Sequence, residues 1–378
     1  CWYIMLSISM YLIGFSIGLI RPTLVAPNLK VRKQIFIELL KFARISGYGL
    51  LVASGIFFAL AIASYGNILN YMREDIYSSS NDSRGLGVFM MVFPGAVTLL
   101  LITARNKSQR IAGYALAGFA FLLFMFSGYR SAGLFPALVG IIIWVKIGRK
   151  FPLPIAVISL VIVTISVSVF GNLRKMGTYA EIDTEDLKES YEQSTMTASF
   201  SELGQTAGIV AHTLRLVPEV NDHFNGSSYI RAFKGMFPNI GLRMNMKNSR
   251  ADLGSTIKSD QRDMKKLNPS SWLTFHIKRA QFEKGGGVGF SAVAEPYLNF
   301  GTTGVIVFFL ILGYFFARID VTDLMVHPFL FVFCGTVLWW LVRTVRNDVA
   351  NFFKPFGFIL IILLIWHIGL RFLGKKYY

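Results

Sequence analysis

The chain has 378 residues, 53% of them hydrophobic and only 16% charged, with a mean hydropathy of +0.52 and a formal net charge of +17. That balance lies outside the range of soluble globular domains and makes lipid the expected solvent. The two cysteines, Cys1 and Cys334, stand at the chain start and inside an apolar run, which excludes a disulfide framework and argues against a thiolate metal site. Both read as packing residues. The positive charge does not mark a nucleic-acid binder, because the basic residues sit in short connectors between apolar runs, as in a protein oriented by the positive-inside rule. The 34 Phe and 15 Tyr suit lipid-facing and interfacial surfaces or a helical core, and locate no site.

Apolar runs long enough to cross about 30 Å of hydrocarbon as helices lie near 3 to 20, 46 to 68, 87 to 104, 110 to 127, 131 to 147 and 152 to 170. After a long connector, others lie near 289 to 316, 327 to 345 and 354 to 373. The chain is therefore expected to be an all-α polytopic membrane protein with about nine transmembrane helices. Three regions follow: N-terminal transmembrane helices over 1–170, a large loop over 171–288 and C-terminal transmembrane helices over 289–378. Pro94 and Pro136 fall inside spans, where neighbouring helices can satisfy freed carbonyls, and predict kinks. Since Cys1 already runs into a span, further N-terminal sequence is expected upstream, and no signal peptide is assigned.

The connectors alternate in charge. Arg21, Lys30, Arg32, Lys33, Lys41 and Arg44 crowd the first, Arg105, Lys107 and Arg110 the third, and Lys146, Arg149 and Lys150 the fifth. These face the cytoplasm, with the tail bearing Arg371, Lys375 and Lys376. The second connector (Arg73, Glu74, Asp75, Asp82, Arg84) and the 171–288 loop are of mixed sign and face outside. The seventh, with Arg318 beside Asp320 and Asp323, fits this scheme least well, although acidic residues count little in it. No internal repeat is visible, which argues against a transporter built on inverted repeats.

The outer loop is too long for a turn and too rich in Trp, Phe and Leu for a disordered linker, so it is expected to fold. Residues 207–217 and 228–240 read as short amphipathic or half-membrane helices, the second preceded by the turn signal Asn225-Gly226 and ended by Pro238. The polar stretch 244–270 is expected to be mobile.

Arginines recur at the outer ends of helices or just beyond: Arg130 in Gly-Tyr-Arg-Ser, Arg174, Arg215 in His-Thr-Leu-Arg, and the pair Arg343 and Arg346. This opposes the positive-inside trend. A charge in or near hydrocarbon is costly unless it faces a partner or a wet cavity, so such residues are functional candidates. The guanidinium fork binds phosphate oxygens bidentately and keeps its proton. The alternative is that each arginine snorkels to headgroups or pairs with an acid, as Arg346 could with Asp348.

Glu295, at the outer start of the seventh helix, is a desolvated carboxylate able to take a proton from a hydroxyl, or a structural partner for an arginine. His212, His223 and His276 are rival bases. No pair of them has metal-ligand spacing, and no metal is expected. Asp348 and Asn351 could orient a sugar or an arginine. The cluster Gly285, Gly286, Gly287, Gly289 lacks the strand context of a nucleotide-binding loop and reads as a hinge. The short cytoplasmic connectors contain no Walker motif or paired carboxylates, so a donor would be attached to lipid outside.

Several phrases together resemble the Wzy family of O-antigen polysaccharide polymerases. They are Gly-Tyr-Arg-Ser at 128–131, the loop from His212 through Val217-Pro218 to Gly226-Ser-Ser-Tyr and Phe237-Pro238, the phrase from Gly289 to Gly301, and Arg343-Thr-Val-Arg-Asn-Asp. The resemblance runs from about residue 87 onward, and family members are usually longer at the N-terminus. It implies a lipid-carrier glycosyltransferase in the bacterial inner membrane, without metal or other cofactor, with a GT-C-like fold similar to the O-antigen ligases and an active site facing the periplasm. Its substrates would be undecaprenyl-diphosphate-linked oligosaccharides, with a flippase and a chain-length regulator as partners. Growing glycan would move from its carrier to the non-reducing end of a fresh repeat unit, releasing undecaprenyl diphosphate. Arg130, Arg215, Arg343 and Arg346, with Arg174, would neutralise the diphosphate or hold sugar. Glu295 is then the first choice as base, and His212 or His276 the second. An O-antigen ligase, or a transporter or flippase of lipid-linked saccharide, are the alternatives; the folded outer loop argues against the transporter.

Overall fold

The computed structural model describes residues 2–20, 29–65, 86–126, 130–147, 196–237, 267–283 and 287–372. Regular structure there is entirely helical. In chain order the helices are α1 (Trp2–Ile20), α2 (Leu29–Tyr65), α3 (Leu86–Ile102), α4 (Lys107–Phe126), α5 (Arg130–Lys146), α6 (Met196–Leu216) and α7 (Ser227–Lys234). Then come α8 (Pro269–Ile277), α9 (Arg279–Glu283), α10 (Ala294–Val321), α11 (Pro328–Thr336), α12 (Leu338–Arg343) with a 3-10 turn over Thr344–Arg346, and α13 (Ala350–Phe372).

Among the described residues, four helical segments are long and apolar enough to cross a membrane: α1, Lys33–Leu60 of α2, α10 and α13. The segments Pro328–Thr336 and Leu338–Arg346, bent by 43° at Val337, make a fifth if taken together. Each expected apolar run except 152–170, which lies outside the described residues, overlaps helical structure, the run at 327–345 overlapping two helices. The protein is a multi-pass membrane protein.

Three details correct the sequence reading. The second helix begins at Leu29, inside the segment read as a basic connector. Its early turns are amphipathic, with Leu39, Leu40, Phe42 and Ala43 buried while Lys41 pairs with Glu38 at 2.5 Å on the exposed face. The run at 327–345 is two helices, not one. The seventh run starts helically only at Ala294, and Phe300 and Gly301 leave helical geometry; Gly301 stands at φ 63°, ψ −150°, a region essentially reserved for glycine. The loop helices expected at 207–217 and 228–240 appear as the end of α6 and as α7, while 238–266 lies outside the described residues.

The chain divides into two compact units. In the second (Ile37–Leu203, His327–Val342, Pro355–Tyr378), α3, α4 and α5 pack on one another and α11 packs on α3 and α5. Gly95 lets α3 approach α11, where a Cβ would stand 3.1 Å from Thr336 Cα. One turn before Pro94, Met91 O accepts from Trp340 Nε1 at 3.3 Å, a neighbouring helix serving backbone near the proline as expected.

In the first unit (Cys1–Phe36, Gly204–Val326, Arg343–Lys354), α1 lies along α10. A Cβ on Gly14 would run into Leu310 O, one on Gly313 into Tyr11 O, and one on Gly18 would stand 2.5 Å from Ala317 Cβ. Small residues spaced by four on both helices allow this backbone approach, the usual basis of helix association in lipid. Beside this pair the loop folds around Trp272, Leu273, Phe290, Phe224 and Leu298, all buried. There α8 is started by Asn268, whose side chain accepts from Ser271 N at 2.9 Å, with Pro269 opening the helix.

Gly313→Val should lower stability by at least about 1–3 kcal/mol through overpacking, read as a fall in the unfolding temperature of detergent-purified protein. Gly118→Ala, where nothing lies within 4 Å of the new methyl, should leave it unchanged.

Candidate functional site

The site is built on the first turns of α10. Ser291 starts the helix: its Oγ accepts from Val293 N at 3.2 Å and its carbonyl from Glu295 N at 3.0 Å. The break at Phe300 and Gly301 then ends this short segment, and carbonyls of its last turn take donors from outside the helix. Phe224 N donates to Leu298 O at 2.9 Å and Asn225 N to Asn299 O at 3.0 Å, so the approach to α7 is laid against the broken end. Asn225 (φ 49°) and Gly226 (φ 80°) turn the chain there, as the Asn-Gly signal predicts.

Inside this corner lies Glu295, 1% exposed. Its Oε1 accepts from Ser228 Oγ at 2.8 Å, and its Oε2 from Val349 N at 2.7 Å. Asn299, one turn along on the same face, donates through Nδ2 to Ser228 Oγ (2.7 Å) and to Glu295 O (2.9 Å). Asn299 Oδ1, Tyr229 OH and Ser227 Oγ are buried with no hydrogen-bond partner. Burial, and the neighbouring Glu295 carboxylate, push the Tyr229 phenol far above its ordinary range, so it remains a donor. Buried polar atoms left open in this way mark a place where a ligand can complete them.

Asp348, one residue before Val349, is also buried. Its Oδ2 accepts from Ser270 Oγ at 2.9 Å in the first turn of α8, and its Oδ1 from Asn351 Nδ2 at 2.7 Å. Phe290 N donates to Arg346 O at 3.3 Å, and Gly289 (φ 78°) leaves room for that carbonyl. The segment 343–351 is therefore fastened on several sides. It carries Arg343, half-buried, and Arg346, exposed.

Thus Glu295, Asp348 and Asn351 come together around the turn that bears Arg343 and Arg346. Arg215 and His212 are exposed near the end of α6. Arg130 opens α5 in the other unit, its side chain outside the described residues, as is the whole of Arg174. His276 has both ring nitrogens engaged: Nδ1 with Trp272 O (2.9 Å) and Nε2 with Asn221 Nδ2 (3.2 Å). Arginines carried on a turn fastened to buried carboxylates have the chemistry to hold an anionic group, and the polar side chains beside them to orient hydroxyls.

The family model described as O-antigen polysaccharide polymerase Wzy matches residues 1–376. The chain belongs to the Wzy family. No curated protein and no solved structure matches it. A Wzy polymerase joins O-antigen repeat units carried on lipid in the membrane, and its substrates here are lipid-linked oligosaccharide repeat units.

Within this Wzy chain, sequence reasoning had missed Ser228, Asn299, Tyr229 and Ser270. Asn299 could have been found from its i,i+4 spacing to Glu295 on an apolar helix, where two polar residues on one face need a shared partner. Ser228 and Tyr229 stand in the Gly-Ser-Ser-Tyr phrase at the start of a helix, and nothing in that pattern sets them apart as site residues. Arg231 on α7, also missed, donates to Leu267 O and holds α7 to the start of α8.

A double-mutant cycle of Glu295→Ala and Ser228→Ala, followed by unfolding, should return a coupling of roughly 0.5–3 kcal/mol. Strictly additive losses would mean the bond contributes nothing.

Proposed function

We propose that this protein lengthens glycan at the periplasmic face of the bacterial inner membrane. It moves a growing chain from undecaprenyl diphosphate to the non-reducing end of a fresh lipid-linked repeat unit and releases undecaprenyl diphosphate. The observation that carries the reading is the arginine-bearing turn 343–346 fastened over two buried carboxylates, in a chain of the Wzy family. Diphosphate leaves with its charge neutralised by cations and needs no protonation, so Arg343 and Arg346 are assigned to it, with Arg130, Arg174 and Arg215 to diphosphate or sugar. Asp348 and Asn351 set the geometry of that turn. Glu295, with both oxygens engaged, is assigned the same positioning work rather than proton transfer. About nine spans, a GT-C-like arrangement, and a flippase and a chain-length regulator as partners complete the proposal.

Purified protein in vesicles with lipid-linked repeat units should lengthen the glycan and release carrier diphosphate; the absence of both would overturn the reading. Arg343→Ala and Arg130→Ala should each abolish lengthening while the protein still inserts, and Lys replacements should restore little because bidentate geometry is lost. Normal chain length in either variant removes that residue from the assignment.

A further inference from the structure

We propose that His223 is the catalytic residue that takes the proton from the acceptor hydroxyl, an inference that rests on the polymerase reading above. The broken end of the first α10 segment leaves a run of carbonyls, and three consecutive groups from the loop meet them in order. His223 Nδ1 lies 3.1 Å from Tyr297 O, Phe224 N 2.9 Å from Leu298 O, and Asn225 N 3.0 Å from Asn299 O. The two backbone bonds set the register, and the side chain of His223 occupies the next place in it. A carbonyl oxygen only accepts, so in the neutral ring the proton resides on Nδ1 and Nε2 carries the lone pair.

Nε2 has no hydrogen-bond partner among the described residues, and His223 is half-buried. The ring edge bearing Cε1 and Nε2 looks onto Gly301, where a Cβ would stand 3.5 Å and 3.6 Å from those atoms. Glycine at the break adopts the unusual backbone angles there. Alongside, Tyr297 stands edge-on to the His223 ring (centroids 5.8 Å apart) and Tyr3 edge-on to Tyr297 (5.0 Å), with Tyr3 OH 3.0 Å from Thr302 Oγ1. These rings and hydroxyls form a wall suited to a sugar, which presents both C–H faces and hydroxyl groups.

The rival bases are differently employed. Glu295 spends one oxygen on Ser228 and the other on Val349, and both nitrogens of His276 are bonded. His212 is exposed, with no orienting contact among the described residues. A base needs an oriented, available lone pair, and His223 combines the two.

In the step, the acceptor O–H bond breaks and its proton goes to Nε2, while Tyr297 O holds Nδ1–H. The freed oxygen bonds to the anomeric carbon of the donor glycan. The bond from that carbon to the carrier's phosphate oxygen breaks, and its electron pair leaves on undecaprenyl diphosphate. The imidazolium then returns its proton to solvent.

The test uses His223→Asn, whose amide N–H can take the place of Nδ1–H toward Tyr297 O but offers no counterpart of Nε2. In vesicles containing lipid-linked repeat units, its kcat should fall by about 10²–10⁴-fold, with KM and unfolding temperature close to wild type. Imidazole added to His223→Ala should restore part of the rate. An active wild type with an equally active His223→Asn variant, or a folded His223→Ala variant that imidazole does not rescue, overturns the assignment alone. A wild-type protein that releases no carrier diphosphate overturns the polymerase reading and the assignment with it.

Discussion

A carboxylate shut away from water must find its hydrogen bonds within the protein, and Glu295 finds them in two segments far from it in sequence. Ser228 comes from the loop before α10 and Val349 from the turn that follows the arginines, so one side chain fixes both relative to the start of α10. Removing it would leave a hydroxyl and a backbone N–H buried with nothing to donate to, each costing about 1–3 kcal/mol. Asp348 repeats the device on the other side of the same turn, through Ser270. The arginine-bearing turn thus gains rigidity from groups that need never meet substrate.

The second constraint is the broken helix. Near lipid, unpaired backbone carbonyls are expensive, and irregular chain survives only where protein supplies donors. Here the loop supplies them one residue after another, so the defect that interrupts α10 also aligns the loop against it. The cost of the break and the placement of His223 are consequences of the same geometry.

Much of this architecture was legible in the sequence because membrane spans are written in run length. Placing α1, α10 and α13 needed little more than counting apolar residues, and the Asn225-Gly226 turn followed from dihedral preference. The break at Gly301 was hidden, since Phe-Gly-Thr-Thr-Gly carries no charge or proline and glycines are common in such helices. The early start of α2 was hidden as well, because charge pattern marks a membrane boundary and not a helix boundary. At the site, Glu295, Asp348 and Asn351 stood out as polar residues beside apolar runs. Their division of labour did not, for it depends on which oxygens are already occupied. Histidines give the same lesson: His223 and His276 share a loop and a residue type, and only their partners tell them apart.

The close seating of α1 on α10 bears on how the protein comes into being. Helix α1 is made well before α10, and the glycine-lined face it presents has its match nearly three hundred residues later in synthesis. During that interval the membrane must hold α1 without its final neighbour, its shallow groove filled by lipid or by passing helices. Pairing of these two helices therefore involves an exchange, in which α10 displaces those temporary occupants. Such long-range closure makes a later-made helix the one that commits an earlier-made helix to its place.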